Sequence, residues 1–380
     1  MDNSTLSIIT VCFLSSFVST CLITPVIIKL YRRSGWDRPH SGHRQAVKDT
    51  HHGNIPRGGG LTVFCGILIS LLPIGAFLMH FALESIKSES ADLGLAAVVI
   101  IGLIAIQVLF AKVYLPLLFS SLLLTVTGWL DDIRDLSPWS RLVVNIVASI
   151  IVVIAGIQIN FVTNPFGGVF DLTFWSWLPP VLTIFYLVAL TNIVNWSKGV
   201  DGQMPGVVAI AAAWVGFLAI RSGEYALAMP VAFIVSGAFA GFLIWNFYPQ
   251  KIMPGYGGGS LAGFLLAVIS IMAGAKIATL FMVLALPIAD ATFTILRRFI
   301  AGKSIFLGDR GHLHHKLLDR LHWGRRRIAI FYWCVTLLMG MLASILPTWG
   351  KIIAFLLVVV LVFAFLIYMK LSSQTAQKVV

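Results

Sequence analysis

The run from Leu93 to Leu130 reads LGLAAVVIIGLIAIQVLFAKVYLPLLFSSLLLTVTGWL, 38 residues interrupted by one charge, Lys112. A helix of about 20 apolar residues is enough to cross the hydrocarbon core of a bilayer, so the stretch points to a membrane protein. It leaves one question, whether it crosses once or twice. A second crossing would move every later loop to the other face of the membrane. The remaining sequence agrees with the first point: 58% of the 380 residues are hydrophobic and 11% are charged, against about 25% charged in an ordinary soluble domain. A soluble enzyme, a disordered chain and a nucleic-acid-binding domain of the usual kind are excluded. The net charge of +12 acquires meaning only from where the cations sit.

Ten further apolar runs meet or approach spanning length: Leu6–Ile28, Leu61–Leu83, Leu142–Ile159, Leu178–Trp196, Met204–Ile220, Ala226–Trp245, Ser260–Gly274, Ile277–Leu296, Ile328–Leu346 and Ile352–Met369. The N-terminus has no basic region ahead of its apolar run, which reads as a first span and not as a cleaved signal. Cys12, Cys21, Cys65 and Cys334 lie in apolar runs without a metal or disulfide spacing. Lys and Arg concentrate on the cytoplasmic side of membrane proteins. With the N-terminus outside and Leu93–Leu130 crossing once, 22 of the 27 basic residues fall in inner loops or the inner tail. Two crossings would turn the nine basic residues of Arg297–Arg327 outward. The expectation is therefore an all-α bundle of about eleven spans in one domain, 1–380, with a cytoplasmic C-terminus. One crossing is placed at about Val113–Leu130, after an interfacial or peripheral helix at Leu95–Phe110.

Ionisable groups at the ends of spans are costly to misplace and are informative for that reason. Five clusters stand out, all on the cytoplasmic side of this topology, in the loops 29–59, 131–141, 197–203, 246–259 and 297–327. His51-His52-Gly53-Asn54-Ile55-Pro56-Arg57-Gly58-Gly59-Gly60 leads into the second span. Its glycines either bring backbone N–H groups to a phosphate or allow tight helix packing. Asp131-Asp132-Ile133-Arg134-Asp135 closes the third crossing. If the helix continues, Asp135 shares a face with the other two, a set that could bind Mg²⁺. Asn192, Asn195, Lys198 and Asp201 follow along one segment, the two asparagines three residues apart on one helix face. Gly255-Tyr256-Gly257-Gly258-Gly259-Ser260 opens the eighth span. Last come Asp290, Arg297-Arg298, and Arg310 with His312, His314, His315 and Lys316, which read as a cationic pocket for a pyrophosphate or a nucleotide. Zinc lacks a fourth ligand there.

Taken together these segments resemble the polyprenyl-phosphate N-acetylhexosamine-1-phosphate transferase superfamily (glycosyltransferase family 4), and within it the bacterial undecaprenyl-phosphate GlcNAc-1-phosphate transferases. Pro56-Arg57-Gly58-Gly59 is similar to the family's P-x-x-G-G, Asp131–Asp135 to D-D-x-x-D, and Asn192–Gly202 to N-x-x-N-x-x-D-G-x-D-G. Pro287–Asp290 with Arg297-Arg298 is similar to P-x-x-D…R-R, and His312–His315 to H-x-H-H. The resemblance implies a multi-pass enzyme of the inner membrane with a cytoplasmic site. It would move a sugar 1-phosphate from a UDP-N-acetylhexosamine to undecaprenyl phosphate, releasing UMP, early in envelope polysaccharide assembly such as lipopolysaccharide or teichoic acid. It also implies Mg²⁺, for which Asn195 and Asp131 or Asp132, with substrate oxygens, are the candidate ligands in this chain, and allows a homodimer. Asp131, Asp132, Asp201 and Lys198 are the expected catalytic residues. Asn192, Asn195, Arg310, His312, His314, His315, Arg57, Gly58, Gly59 and Asp290 are the expected substrate contacts.

Two positions depart from the family. Lys198 stands where the first Asp of D-G-x-D-G is usual, and Gly257 where an Asp is normally a Mg²⁺ ligand. Together they shift the local charge by three units. Lys198 either replaces part of a metal's field or marks a lost activity. The alternative to an enzyme is a non-catalytic relative that binds polyprenyl phosphate or a UDP-sugar. A transporter or flippase is a weaker rival, since no internal repeat is evident.

Overall fold

A computed structural model describes residues 3–37, 55–71, 110–223, 228–274, 276–304 and 311–378. The interfacial helix expected at Leu95–Phe110 lies, but for Phe110 itself, outside the described residues. So do His51 to Asn54 and Arg310. The chain is an all-α membrane protein. Among the described residues eight helices are long and apolar enough to cross a bilayer, and a bent pair makes a ninth.

The helices are α1 (Asn3–Ser34), α2 (Gly59–Leu71), α3 (Leu115–Arg134, preceded by a π-helical turn at Phe110–Tyr114), α4 (Pro138–Ile154), α5 (Leu178–Trp196), α6 (Gln203–Arg221) and α7 (Ala228–Asn246). They continue with α8 (Gly255–Met272), α9 (Ile277–Val283), α10 (Ala285–Ile300), the short α11 (Leu313–Asp319), α12 (Arg325–Ile345) and α13 (Thr348–Lys378). Between α4 and α5 a small antiparallel hairpin pairs Phe161–Thr163 (β1) with Val169–Asp171 (β2), Phe161 facing Asp171.

The post around which the others stand is α8. All its residues are buried, and it packs against α3, α5, α6, α7 and α9. Lipid offers no hydrophobic drive for helices to associate, so close approach through small residues and good packing must supply it. Gly259 and Gly263, one turn apart, face α5. An added Cβ would stand 2.9 Å from Asn195 Cα at the first and 2.7 Å from Thr191 Cα at the second. Farther along the seam the Tyr186 hydroxyl meets Ser270 Oγ at 2.7 Å. Gly128 of α3 and Gly60 of α2 meet the backbone at Gly257 and Gly258 in the same way. A second seam joins α1 to α7, where Gly237 and Gly241 lie on the backbone at Phe13 and Phe17 and Trp245 Nε1 donates to the Cys21 carbonyl at 3.1 Å.

Two sequence expectations change. The span expected over Ile277–Leu296 is broken at Leu284, and α9 and α10 meet at 82°. Pro287 lacks an N–H, and its ring would strike the carbonyl of Val283 in a continuous helix. The helix carrying Asp131 does not continue to Asp135. That residue caps α3 in the left-handed region (φ 51°), its N–H donating to the Asp131 carbonyl at 2.9 Å. Ser137 and Pro138 then start α4, with Ser137 Oγ accepting the Ser140 N–H. Asp135 is exposed, and the set of three carboxylates on one face is reduced to two.

Enlarging Gly263 to Val should force α5 and α8 apart and cost about 1–3 kcal/mol or more, as overpacking does. Gly324→Ser, where an added Cβ meets nothing within 4 Å and a serine suits a helix N-cap, should change stability by no more than about 0.5 kcal/mol. Thermal unfolding of the two variants in detergent checks the contrast.

Candidate active site

Asp131 and Asp132 occupy the last turn of α3, each 8% exposed. Negative charge at a helix C-terminus opposes the helix dipole, so both carboxylates need outside partners. Asp131 Oδ1 accepts the Leu136 N–H at 3.0 Å, and its Oδ2 pairs with Arg141 Nη1 at 3.3 Å. Asp132 Oδ1 accepts the Tyr256 N–H at 3.2 Å. Tyr256 is in the first turn of α8, so Asp132 is held at the positive end of a second helix. Gly255 makes this approach feasible. Its φ is +65°, and a Cβ there would run into Asp132 Oδ2 and the Arg57 carbonyl. The Arg57 charge also acts on Asp132.

At the end of α5 the Lys198 ammonium donates to Asn195 Oδ1 and to the Gly255 carbonyl, 2.7 Å each. Its charge reaches both Asp131 and Asp132. The ring of Tyr256 lies between two cations, Lys198 Nζ at 5.7 Å and Arg141 Cζ at 5.2 Å from its centroid. Its hydroxyl donates to Asn145 Oδ1 at 3.2 Å. Neither Tyr256 nor Asn145 stands out in the sequence, whereas Arg141 is the neutralising partner its position beside the acidic cluster suggests. A lone aromatic inside a run of glycines was the available signal for the first. Asn192 turns its Nδ2 to the Val188 carbonyl of its own helix, 2.8 Å.

Asp201 is buried in the turn between α5 and α6. Its Oδ2 accepts the Gln250 N–H at 3.3 Å and lies 4.0 Å from Arg325 Nη1. The next residue, Gly202, is left-handed (φ 73°) and gives its N–H to Asn246 Oδ1 at 2.9 Å. These contacts tie the α5–α6 turn to the segment before α8 and to the start of α12.

Asp290 organises the histidines. Its Oδ1 accepts the Leu313 N–H at 2.7 Å, capping α11, and its Oδ2 lies 3.1 Å from His312 Nδ1. The imidazole of His314 packs on Gly199, where no Cβ would fit, which brings the histidine segment against the turn carrying Lys198. His312 and His314 stack with centroids 5.5 Å apart, and His314 and His315 lie at 4.4 Å. Burial, then the neighbouring His315 and His312, push the His314 pKa well below its ordinary value. Asp290 Oδ2 is 3.8 Å from His314 Nδ1, beyond hydrogen-bond reach. His314 is therefore neutral near pH 7, and the cationic pocket expected from sequence is corrected at this ring. Arg298 gives its Nε to the Ser304 carbonyl at 2.7 Å.

The Gly58–Gly60 stretch makes packing contacts. The Gly59 N–H donates to the Met253 carbonyl at 3.1 Å, and the Met253 N–H to the Pro56 carbonyl at 2.7 Å, a two-bond ladder joining the starts of α2 and α8. Gly58 lies on Ile27 and Tyr31 of α1. Of the two roles left open for these glycines, packing accounts for the contacts seen.

The donor set does not fit a divalent cation. Mg²⁺ takes hard oxygens in near-octahedral order. Here Asn195 Oδ1 faces an ammonium, both oxygens of Asp131 are engaged, and Asp132 Oδ1 accepts a peptide N–H. Among the described residues no three His, Cys, Asp or Glu side chains converge. A Cβ at Gly257 would stand 3.2 Å from Gly128 Cα and 3.5 Å from Gly60 Cα, a tight fit against the first and ordinary contact with the second.

A base whose folded pKa is depressed stabilises the fold fully above its ordinary pKa, and that contribution is lost as pH falls below it. Neutral His314 should thus make the protein progressively less stable below about pH 6.5. The decline should be shallower in His314→Gln. Melting temperatures of both proteins between pH 5 and 8 check this.

A model of the family described as "Glycosyl transferase family 4" matches residues 114–274, which carry Asp131, Asp132, Lys198, Asp201 and the start of α8. The chain is 25% identical to a Bacillus subtilis protein named "Probable undecaprenyl-phosphate N-acetylglucosaminyl 1-phosphate transferase", over 96% of this chain and 91% of the relative. It is 28% identical to the Mycobacterium tuberculosis decaprenyl-phosphate N-acetylglucosaminephosphotransferase, over 78% of this chain and 74% of the relative. With the phospho-N-acetylmuramoyl-pentapeptide-transferase of Geobacillus thermodenitrificans it shares 26% identity, over 90% of this chain and 98% of the relative. Along nearly its whole length the chain aligns with one kind of protein, and over residues 114–274 it is similar to glycosyl transferase family 4.

Proposed function

We propose that this protein transfers an N-acetylhexosamine 1-phosphate from a UDP-sugar to undecaprenyl phosphate. The observation that carries the reading is the meeting, at one end of the bundle, of two buried carboxylates, a lysine ammonium and a histidine segment. These come from α3, the end of α5 and α11, held by contacts from α8 and α10, and the relatives bear transferase names.

The step is a phosphoryl transfer. A phosphate oxygen of the lipid forms a bond to the β-phosphorus of the UDP-sugar. The bond from that phosphorus to the α–β bridging oxygen breaks, and UMP leaves with the electron pair. The product is a polyprenyl diphospho-sugar. Such reactions ask mainly for positioning and charge stabilisation. Asp132 and Asp131 are suited to accept a proton from the lipid phosphate or to orient it. Lys198 and Arg57 supply positive charge, and the His312–His315 segment, positioned by Asp290, supplies contacts for the sugar phosphate or nucleotide.

The reading includes the finer topology. The two shorter apolar helices, α2 and α4, with the eight long ones and the bent pair make eleven crossings. The ends of α1, α3 and α5 and the starts of α2 and α8 meet at the site, which supports a common face for them. The N-terminus is placed outside, and the site on the cytoplasmic face of the inner membrane. The relatives' names give no support to the non-catalytic alternative.

The test is purified protein with labelled UDP-N-acetylglucosamine and undecaprenyl phosphate, followed by UMP release and lipid labelling. Turnover should fall about 100-fold or more in Asp132→Asn, the size of a lost general-base or orienting contribution. Binding of both substrates without turnover in the wild type would overturn the reading.

A further inference from the structure

We infer that the Lys198 ammonium is the resident cation of this centre, and that the protein works without a divalent metal ion. The catalytic half of this inference rests on the transfer reaction proposed above; the binding half does not.

A cation site is recognised by oxygens that converge on a point. Asn195 Oδ1 and the Gly255 carbonyl do so here, and Lys198 Nζ stands 2.7 Å from each. Asp131 and Asp132 both lie within reach of its charge. An ammonium offers three donors and no acceptor, so it satisfies the oxygens a metal would take. The backbone is shaped for it. The Gly255 carbonyl is aimed by a left-handed glycine at φ +65°, and Gly259 leaves room for Asn195. The Tyr256 ring flanks the ammonium at 5.7 Å.

Charge balance points the same way. The two carboxylates already face Lys198 and Arg141, with Arg57 near Asp132. A divalent ion entering among these oxygens would meet three fixed cations and no surplus negative charge to repay its dehydration. The two departures from the family pattern then become one arrangement. The site of the missing carboxylate is a tight fit against backbone, 3.2 Å from Gly128 Cα for an added Cβ, and the positive charge arrives on the chain itself. Covalently supplied, it is present at every turnover and cannot be chelated. In the transfer it would stabilise charge developing on the bridging and β-phosphate oxygens, as preorganised cations do in water-poor sites.

Two measurements on the intact protein in detergent decide the matter. Transfer from UDP-N-acetylglucosamine to undecaprenyl phosphate is followed in excess EDTA and in excess Mg²⁺, and Mn²⁺ binding is read by its paramagnetic resonance signal. Turnover should agree within about twofold between EDTA and Mg²⁺, because no metal supplies the field. Lys198→Gln should lose about 100-fold in kcat, not recovered by Mg²⁺. Wild type should leave the Mn²⁺ signal as in buffer, whereas Lys198→Asp, if monodisperse, should bind Mn²⁺. Turnover abolished by EDTA and restored by Mg²⁺ would overturn the inference. So would Mn²⁺ binding by wild type that Asp132→Asn removes. If no UDP-sugar turns over under either condition, the transfer reading fails and the wild-type Mn²⁺ signal still decides the cation, with no variant required.

Discussion

Asp131 and Asp132 put two carboxylates at the carbonyl end of a membrane helix, where the helix dipole and the low dielectric both oppose negative charge. Much of the surrounding structure answers that problem. Arg141 comes back from the first turns of α4 to pair with Asp131, and the N-terminus of α8 receives Asp132. Lys198 reaches in from the end of α5 and ties its neighbour Asn195 to the carbonyl of Gly255. A charge pair that is expensive to bury becomes the place where four helices, α3, α4, α5 and α8, are pinned together. Losing one partner would leave an uncompensated buried charge, which is far costlier than losing the pair as a whole.

The glycines of α8 solve a geometric part of the same problem. Carboxylates, an ammonium and a helix end can meet only if backbones come within van der Waals contact. Gly255, Gly257, Gly258, Gly259 and Gly263 provide that approach toward α2, α3 and α5. At Gly58–Gly60, where the sequence suits a phosphate cradle and helix packing alike, the contacts are those of packing. The glycine loop at Gly255 has a different use: it receives a carboxylate from α3 and offers a carbonyl to Lys198.

Much of the site was legible as motifs, and its internal wiring was not. Asp290 read as one more substrate contact. In the structure it caps α11 and orients His312, a role that depends on the 82° break bringing α10 against the histidine segment. Asp135 read as a third carboxylate because helical spacing was extended one residue past Arg134. The left-handed cap and Ser137-Pro138 turned it outward. Tyr256 stayed hidden because a phenol between two cations is a property of three elements, α4, α5 and α8, and of no local pattern.

Hydrophobic length, charge asymmetry and the order of the polar clusters determined by themselves that this is a helical membrane protein with its chemistry gathered at the ends of spans. Those properties follow from one-dimensional quantities: about 20 apolar residues per crossing and the cost of a misplaced charge. Which groups face one another was decided only in three dimensions. Lys198, Gly255 and Asp132 are separated by 57 and 66 residues along the chain, and nothing in their spacing says that an ammonium fills the space between them. That placement comes from backbones packed at glycines, whose closeness depends on both partners at once.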